Sequence, residues 1–362
     1  MKSNFWQKLQ KKNKPILALA PMAGVTDSAF RQICKYYGAD VVYTEMVSSN
    51  GLYYDSKKTL GLLKFKKSEQ PVVIQLFGKD PATFTKAAKI CEDYGFAGID
   101  INFGCPAKKV VAHGGGVTLM RDLKKCREII EAVLAGTNLP VSIKVRASIS
   151  VIASRSLIDS GQAPQSHGKK MGLLRSARND EIKITNNERI TALDFIKSIK
   201  DLPLSAVMIH GRPHENPFGA EIDYDMIKKI KEEFNGVVLG NGGIKTPEDA
   251  KIMINKTGVD GVGLARGLYG KPWLFEQIKD YLKIGQYKEF QPSDIKKAML
   301  LHGQLAFEAK GDHGLIELRK HLLWYASGWP GAKQLRSELV KVETLKDIRK
   351  VLKYTLDKII IT

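Results

Sequence analysis

"GVVLGNGGIKTPEDAKIMINKTGVDGVGLARGLYG", residues 236–270, holds two apolar runs joined by one helical segment, each run followed by a glycine-rich loop. The runs "GVVLGN" (236–241) and "GVGLAR" (261–266) are short, branched and almost continuously apolar. Strands buried on both faces of a parallel sheet look like this. Between them, "TPEDAKIMINKTG" (246–258) carries its own punctuation. Thr246 suits an N-cap, Pro247 the first helical position, and Glu248 and Asp249 the positive end of the helix dipole; Gly258 marks the stop. The stretch is one βαβ unit.

The unit recurs along the chain. Further apolar runs are "ILALA" (16–20), "VVYTE" (41–45), "PVVIQLF" (71–77), "GIDIN" (98–102), "VSIKVR" (141–146) and "AVMIH" (206–210). Eight strands, most followed by a helix such as "DPATFTKAAKICEDYG" (80–95), predict a TIM (β/α)8 barrel of the α/β class. A Rossmann sheet would want GxGxxG after its first strand, and "APMAGVTD" (20–27) is not one. Polar residues give a second argument. Met22, Glu45, Gln75, Asn102, Lys144, His210, Asn241 and Arg266 fall at or just beyond the C-terminal ends of the eight runs. In a barrel those ends converge on one mouth, where active sites sit.

Two regions stand outside the repeat. From about 147 to 187 the chain is rich in Ser, Gly, Asn and basic residues with neither period sustained, which predicts an insertion after strand five. Beyond about Asp280 only helical patterns remain. The expected division is a catalytic barrel over 1–280 and a small all-helical domain over 281–362. In "LRKHLLWYASGWPGAKQLR" (318–336), Arg319, Lys320, His321, Lys333 and Arg336 accompany Trp324, Tyr325 and Trp329. Basic groups neutralise phosphates and aromatics stack on unpaired bases; a helix that packs its aromatics inward is the alternative.

Across 362 residues, 57 Lys and Arg against 38 Asp and Glu leave a formal net charge of +19. That balance favours a polyanionic partner. Four cysteines without metal-ligand spacing point to a reducing compartment and no metal. The apolar run at 15–20 is too short for a signal peptide's core, and nothing approaches a membrane span, so a cytoplasmic location is expected.

At the mouth, "LGNGGI" (239–244) and "GLARGLYG" (263–270) follow strands seven and eight, where barrel enzymes commonly hold a phosphate. One phosphate suits FMN better than a dinucleotide. Gln75, Lys144 and His210 would then surround the flavin ring, with Lys144 supplying charge near its N1–C2 edge. Cys105, in "INFGCP" (101–106), sits in a turn just past strand four. The residues alone leave it either a small buried hydrophobe or a thiol placed for chemistry.

The segments "APMAGVTDSAFR", "TEMVSS", "VVIQLFG", "DINFGCPAKKV", "SIKVR", "IHGR", "GNGGI", "ARGLYGKPWLF" and "RKHLLWYASGWPGA" together resemble the tRNA-dihydrouridine synthases, particularly the bacterial B-like subgroup. Only the insertion is expected to fall outside the resemblance. It implies reduction of the C5=C6 bond of uridines in the D-loop of tRNA, with NADPH (or NADH) reducing FMN and Cys105 protonating C5. It further implies backbone contacts to flavin from Pro21, Met22 and Ala23, and ring contacts from Gln75, Lys144 and His210. Asn241, Gly242, Gly243, Ala265 and Arg266 would surround the phosphate. Asn102 would contact the base or order the Cys105 loop, and Arg319 and Lys320 would contact tRNA. A monomer is favoured. Two departures stand out: Ala265 replaces the family's usual Gly, and the insertion replaces the loop after "KVR". Another FMN barrel acting on a small molecule, or a tRNA-binding homologue without catalysis, are the remaining alternatives.

Overall fold

Thr246, Pro247 and Gly258 act as their chemistry predicts. The helix Pro247–Thr257 starts with the Thr246 side chain accepting from the Asp249 N–H and ends on Gly258 at φ 68°. The computed structural model describes residues 4–112, 114–150, 189–217, 219–328 and 331–359; of residues 109 and 354–359 it describes the backbone alone. All eight apolar runs become barrel strands. They are β1 (Ile16–Leu19), β2 (Val41–Ser48), β3 (Val72–Phe77), β4 (Gly98–Asn102) and β5 (Val141–Arg146), and, after a short pair β6 (Ser148–Ser150) and β7 (Arg189–Thr191), β8 (Ala206–His210), β9 (Val237–Asn241) and β10 (Gly261–Leu264). The parallel barrel closes in the order β1–β10–β9–β8–β5–β4–β3–β2.

Inside the barrel the strands' alternate residues pack on one another, among them Ala18, Tyr43, Val73, Met208, Val237 and Leu239. The sequence pattern gave no sign of what closes the floor. It is Trp6, 1% exposed, carried on the six-residue helix Phe5–Gln10 that Asn4 and Gln7 cap reciprocally. At the opposite, C-terminal end the interior turns polar. Gln75, Asp100, Asn102, Ser142, Lys144, Arg146 and His210 fall at barrel-facing positions by strand parity, and most of them bond across the strands there.

The expectation of an irregular segment starting at Ala147 is corrected at its leading edge. Ala147 and Ile149 are buried, the Ala147 N–H donates to the His210 carbonyl at 2.9 Å, and β6 pairs antiparallel with β7 from Ser148–Thr191 to Ser150–Arg189. Three-residue strands are too short to show a period. The rest of the expected insertion, 151–187, lies outside the described residues. Because Ser150 and Arg189 face each other, joining them by a two-residue Asn-Gly turn should leave a continuous hairpin. Loop length itself costs little, about 0.6 kcal/mol per doubling. The shortened protein is therefore expected to stay soluble and to keep its thermal midpoint within a few degrees; insoluble protein would make the segment part of the fold.

Among the described residues, five α-helices follow β10: Leu274–Ile284, Pro292–Lys310, Asp312–Tyr325, Ala332–Leu339 and Leu345–Ile359. The first of these ends on Gly285, its left-handed cap. Aromatic packing ties the second and third of these helices to the barrel. His302 and His321 lie 5.8 and 4.8 Å from Phe30 on the barrel helix Ser28–Tyr36. Trp324 stacks on Tyr269 at 3.9 Å with the rings 2° from parallel.

That joint favours the second of the two readings of 318–336, a helix that packs its aromatics inward. His321 is 1% exposed, and burial lowers its pKa well below the usual range, so it carries no charge to a phosphate. The Tyr325 hydroxyl is buried against His302 Nδ1 at 3.2 Å, and Trp324 is occupied by Tyr269. Trp329 lies outside the described residues. A helical period says which side chains share a face, not which face meets the barrel.

Candidate active site

The turn that carries Cys105 is held from below by side chains rather than by a ladder. The Asn102 Oδ1 accepts from the N–H groups of Gly104 (3.1 Å) and Cys105 (2.8 Å). From the next strand, Arg146 Nε donates to the Gly104 carbonyl at 2.8 Å. On the far side, Val117 N–H donates to the Cys105 carbonyl at 3.1 Å, and Gly116, at φ 65°, leaves no room for a side chain: a Cβ would stand 2.7 Å from that carbonyl oxygen. Cys34, Cys91 and Cys126 are fully buried, so Cys105 is the one thiol open to the mouth. The Asn102 side chain thus bonds two successive N–H groups of the loop.

Behind Asn102 the bonding continues inward. Asn102 Nδ2 donates to Gln75 Oε1 at 2.7 Å, and Gln75 Nε2 donates to Asp100 Oδ2 at 2.6 Å. Ser142 Oγ donates to the other Asp100 oxygen at 2.7 Å. Burial pushes the Asp100 carboxyl up to about 6, opposed by its two donors and by Lys144. On the β1 side, the loop containing Pro21, Met22 and Ala23 is tied down by Thr26 Oγ1 accepting from Met22 N–H at 3.2 Å and by Glu45 accepting from Gly24 N–H.

A cluster of cations fills the opposite half of the mouth. Burial and the neighbouring Arg146 bring Lys144 down to about 8, and burial brings Arg146 down to about 10. Arg146 Nη1 lies 2.8 Å from His210 Nδ1. An arginine only donates, so Nδ1 accepts and the imidazole proton sits on Nε2. Burial and four surrounding cations (Lys144, Arg146, Arg212 and Arg266) hold His210 neutral, with its pKa pushed down to about 2. That neutrality lets it sit among them.

Beside it opens a cavity of about 380 Å³ lined by His210, Arg212, Gly242, Gly243, Ala265 and Arg266 among others. Gly242, at φ 108°, brings the backbone against the imidazole: a Cβ there would lie 2.8 Å from His210 Cδ2. Asn241 spends its side-chain amide on the Gly263 carbonyl at 2.6 Å, which leaves the loop backbone to face the cavity. Mutually repelling cations around glycine-built backbone form a receptor for an anion. The donor set fits a phosphate group.

The structure therefore gathers Pro21, Met22, Ala23, Gln75, Asn102, Cys105, Lys144, His210, Asn241, Gly242, Gly243, Ala265 and Arg266 at one end of the barrel. Arg319 and Lys320 lie apart from the cavity, on the helix Asp312–Tyr325. Arg319 Nε donates to the Val342 carbonyl at 2.8 Å, and its guanidinium faces Glu343 at 3.4 Å. Lys320 is near enough to the mouth to be felt by Glu45. Sequence reasoning missed Asp100, Arg146 and Arg212. The signal for the first two was parity: a carboxylate two residues before Asn102 and an arginine two after Lys144 must share the barrel-facing side.

A family model described as dihydrouridine synthase matches residues 18–173 and 179–360. Within the segment expected to lie outside the resemblance, the match skips only 174–178, which corrects that expectation. The chain is 32% identical over 329 residues to tRNA-dihydrouridine synthase B of Pseudomonas aeruginosa, covering 90% of this chain and 88% of that one. It is 30% identical over 346 residues to tRNA-dihydrouridine synthase B of Shewanella oneidensis, covering 95% and 96%. A probable tRNA-dihydrouridine synthase of Rickettsia conorii is 32% identical over 324 residues, covering 88% and 87%. Barrel, mouth and family match agree along nearly the whole chain, and this protein belongs to the dihydrouridine synthase family, flavin-dependent oxidoreductases that act on tRNA.

Proposed function

We propose that this protein reduces the C5=C6 bond of D-loop uridines in tRNA, with FMN as its flavin and NADPH as reductant. The observation that carries the reading is the pairing, at one mouth, of an ordered loop presenting Cys105 with a cavity lined by Arg212, Arg266 and glycine backbone. FMN, when bound, supplies the hydride for C6. The residues do the rest. Gly242, Gly243, Arg266 and Arg212 hold the phosphate, with Asn241 and Ala265 shaping the loops that carry it. Pro21, Met22 and Ala23 would line the ring beside Gln75, His210 would bond to it, and Lys144 would balance negative charge on it. The Cys105 thiol gives its proton to C5 as general acid.

The uracil must leave its stack to reach that thiol, so the RNA backbone needs a cationic rim. Lys320 contributes to it, while Arg319 already spends donors on Val342 and Glu343. A second source follows β2 on the same rim. Lys57, Lys58, Lys64 and Lys67 are exposed between 57 and 67 with no carboxylate partner among the described residues, beside Tyr54, which is 74% exposed. Changing Lys57, Lys58 and Lys64 to Glu should weaken tRNA binding and flatten its salt dependence by up to about three units of slope, since each phosphate contact contributes about 0.9. NADPH-dependent flavin reduction should not change. An unaltered slope would return these lysines to an ordinary solvated face.

The test of the reading is direct. Purified protein should carry FMN, and NADPH-reduced protein should be reoxidised by tRNA lacking dihydrouridine faster than by fully modified tRNA. Equal rates with both would favour a small-molecule substrate.

A further inference from the structure

Asp100 is a charged group buried to 0% exposure at the centre of a barrel, and the mechanism above gives it nothing to do. Burying a carboxylate costs several kcal/mol even when it is hydrogen-bonded, and an apolar residue would fill the place more cheaply. What it does touch is informative. Its oxygens accept from Gln75 Nε2 at 2.6 Å and Ser142 Oγ at 2.7 Å; Gln75 Oε1 accepts from Asn102 Nδ2 at 2.7 Å; Asn102 Oδ1 accepts from Gly104 and Cys105 N–H at 3.1 and 2.8 Å.

The direction of every bond in this chain is determined. A backbone N–H can only donate, so the loop demands an acceptor, and Asn102 must turn its carbonyl outward and its NH2 inward. Gln75 then accepts with its carbonyl and is left with an NH2 pointing at position 100. That place requires an acceptor. An ionised carboxylate can do nothing else, so it locks both amides in the orientation the Cys105 loop needs.

We propose that Asp100 is a positioning residue that fixes the Cys105 turn through Gln75 and Asn102, three side chains away from the thiol. The part of this that concerns rate rests on the proposed role of Cys105 as the acid; the part that concerns loop order does not. An asparagine at 100 can keep the arrangement, its carbonyl accepting from Gln75 and its NH2 donating to Ser142 Oγ. An alanine cannot.

The experiment compares Asp100→Asn and Asp100→Ala in the flavin-bound full chain, each with and without Cys105→Ala. One readout is the rate at which tRNA lacking dihydrouridine reoxidises the reduced protein. The other is alkylation of Cys105 by iodoacetamide, followed by mass spectrometry, which needs no tRNA and meets no other accessible thiol. Asp100→Ala should slow tRNA-dependent reoxidation by about 10–100-fold, the usual cost of removing an outer-shell partner. Asp100→Asn should stay within about threefold of the parent. In the Cys105→Ala background, removing Asp100 should cost almost nothing more, because the two act through one path. Alkylation should quicken in Asp100→Ala and not in Asp100→Asn. If Asp100→Ala is insoluble, Asp100→Leu, closer in volume, replaces it in every comparison.

Losses that multiply in the double variant, an Asn variant as slow as the Ala variant, or unchanged alkylation in the Ala variant would each overturn the proposal. If the parent protein shows no tRNA-dependent reoxidation, the proposed function fails, while the alkylation comparison still decides whether Asp100 positions the loop.

Discussion

Replacing Cys105 with Ala should slow reduction of uridine in tRNA by about 10²–10⁴-fold, the usual worth of a positioned general acid. Flavin content and the rate of flavin reduction by NADPH should hardly change. The asymmetry follows from how the turn is built. Asn102, Val117 and Arg146 all bind its backbone atoms, so the loop survives loss of the thiol. Cys105 is only half-buried, so little packing is lost with its thiol. Single-turnover measurement of the two half-reactions separates the outcomes. Loss of flavin along with loss of uridine reduction would instead make Cys105 a structural residue.

Replacing Lys144 with Met should act on the other half-reaction, slowing flavin reduction by about 10²–10³-fold, the cost of removing one preorganised charge from a dry site. Methionine keeps most of the stem's volume, which limits the effect to the charge. The pH dependence supplies the control. Burial and Arg146 lower the Lys144 pKa from its ordinary range to about 8, so the ammonium is present below that pH and lost above it. Flavin reduction in the parent protein should therefore fall as pH rises through about 8, and Lys144→Met should lack that limb. The same alkaline limb in the Met variant would assign it to another group. His210 is not a candidate, since its four cationic neighbours and burial keep it neutral far below that pH.

The fold was legible because its signals are local and repeated. Each strand of the barrel is a short apolar run, and the polar residue at its end marks the mouth, so eight independent repeats carry one message. The helix Phe5–Gln10 and the pair Ser148–Ser150 with Arg189–Thr191 escaped because six and three residues cannot display a period. Pairing also takes the chain from Ser150 to Arg189, a separation no local pattern spans. In the site, Gln75, Asn102 and Lys144 announced themselves as polar residues in apolar strands. Asp100 and Arg146 carried the same signal one alternation away, but their work is done by bonds to other strands, which spacing does not encode. On the helix Asp312–Tyr325, the sequence left His321 and Trp324 open to either face, and they turn inward to Phe30 and Tyr269. Their direction was fixed by the barrel they pack on.

If one mouth joins a flavin to a base through the Cys105 thiol, product formation must depend on that thiol. The most direct measurement incubates the flavin-loaded protein with NADPH and an unmodified tRNA transcript, then identifies dihydrouridine in the digested RNA by mass spectrometry. Dihydrouridine is expected in the D-loop with the parent protein and almost none with Cys105→Ala over the same time. NADPH consumption without dihydrouridine, or equal product from the Cys105→Ala protein, would contradict it.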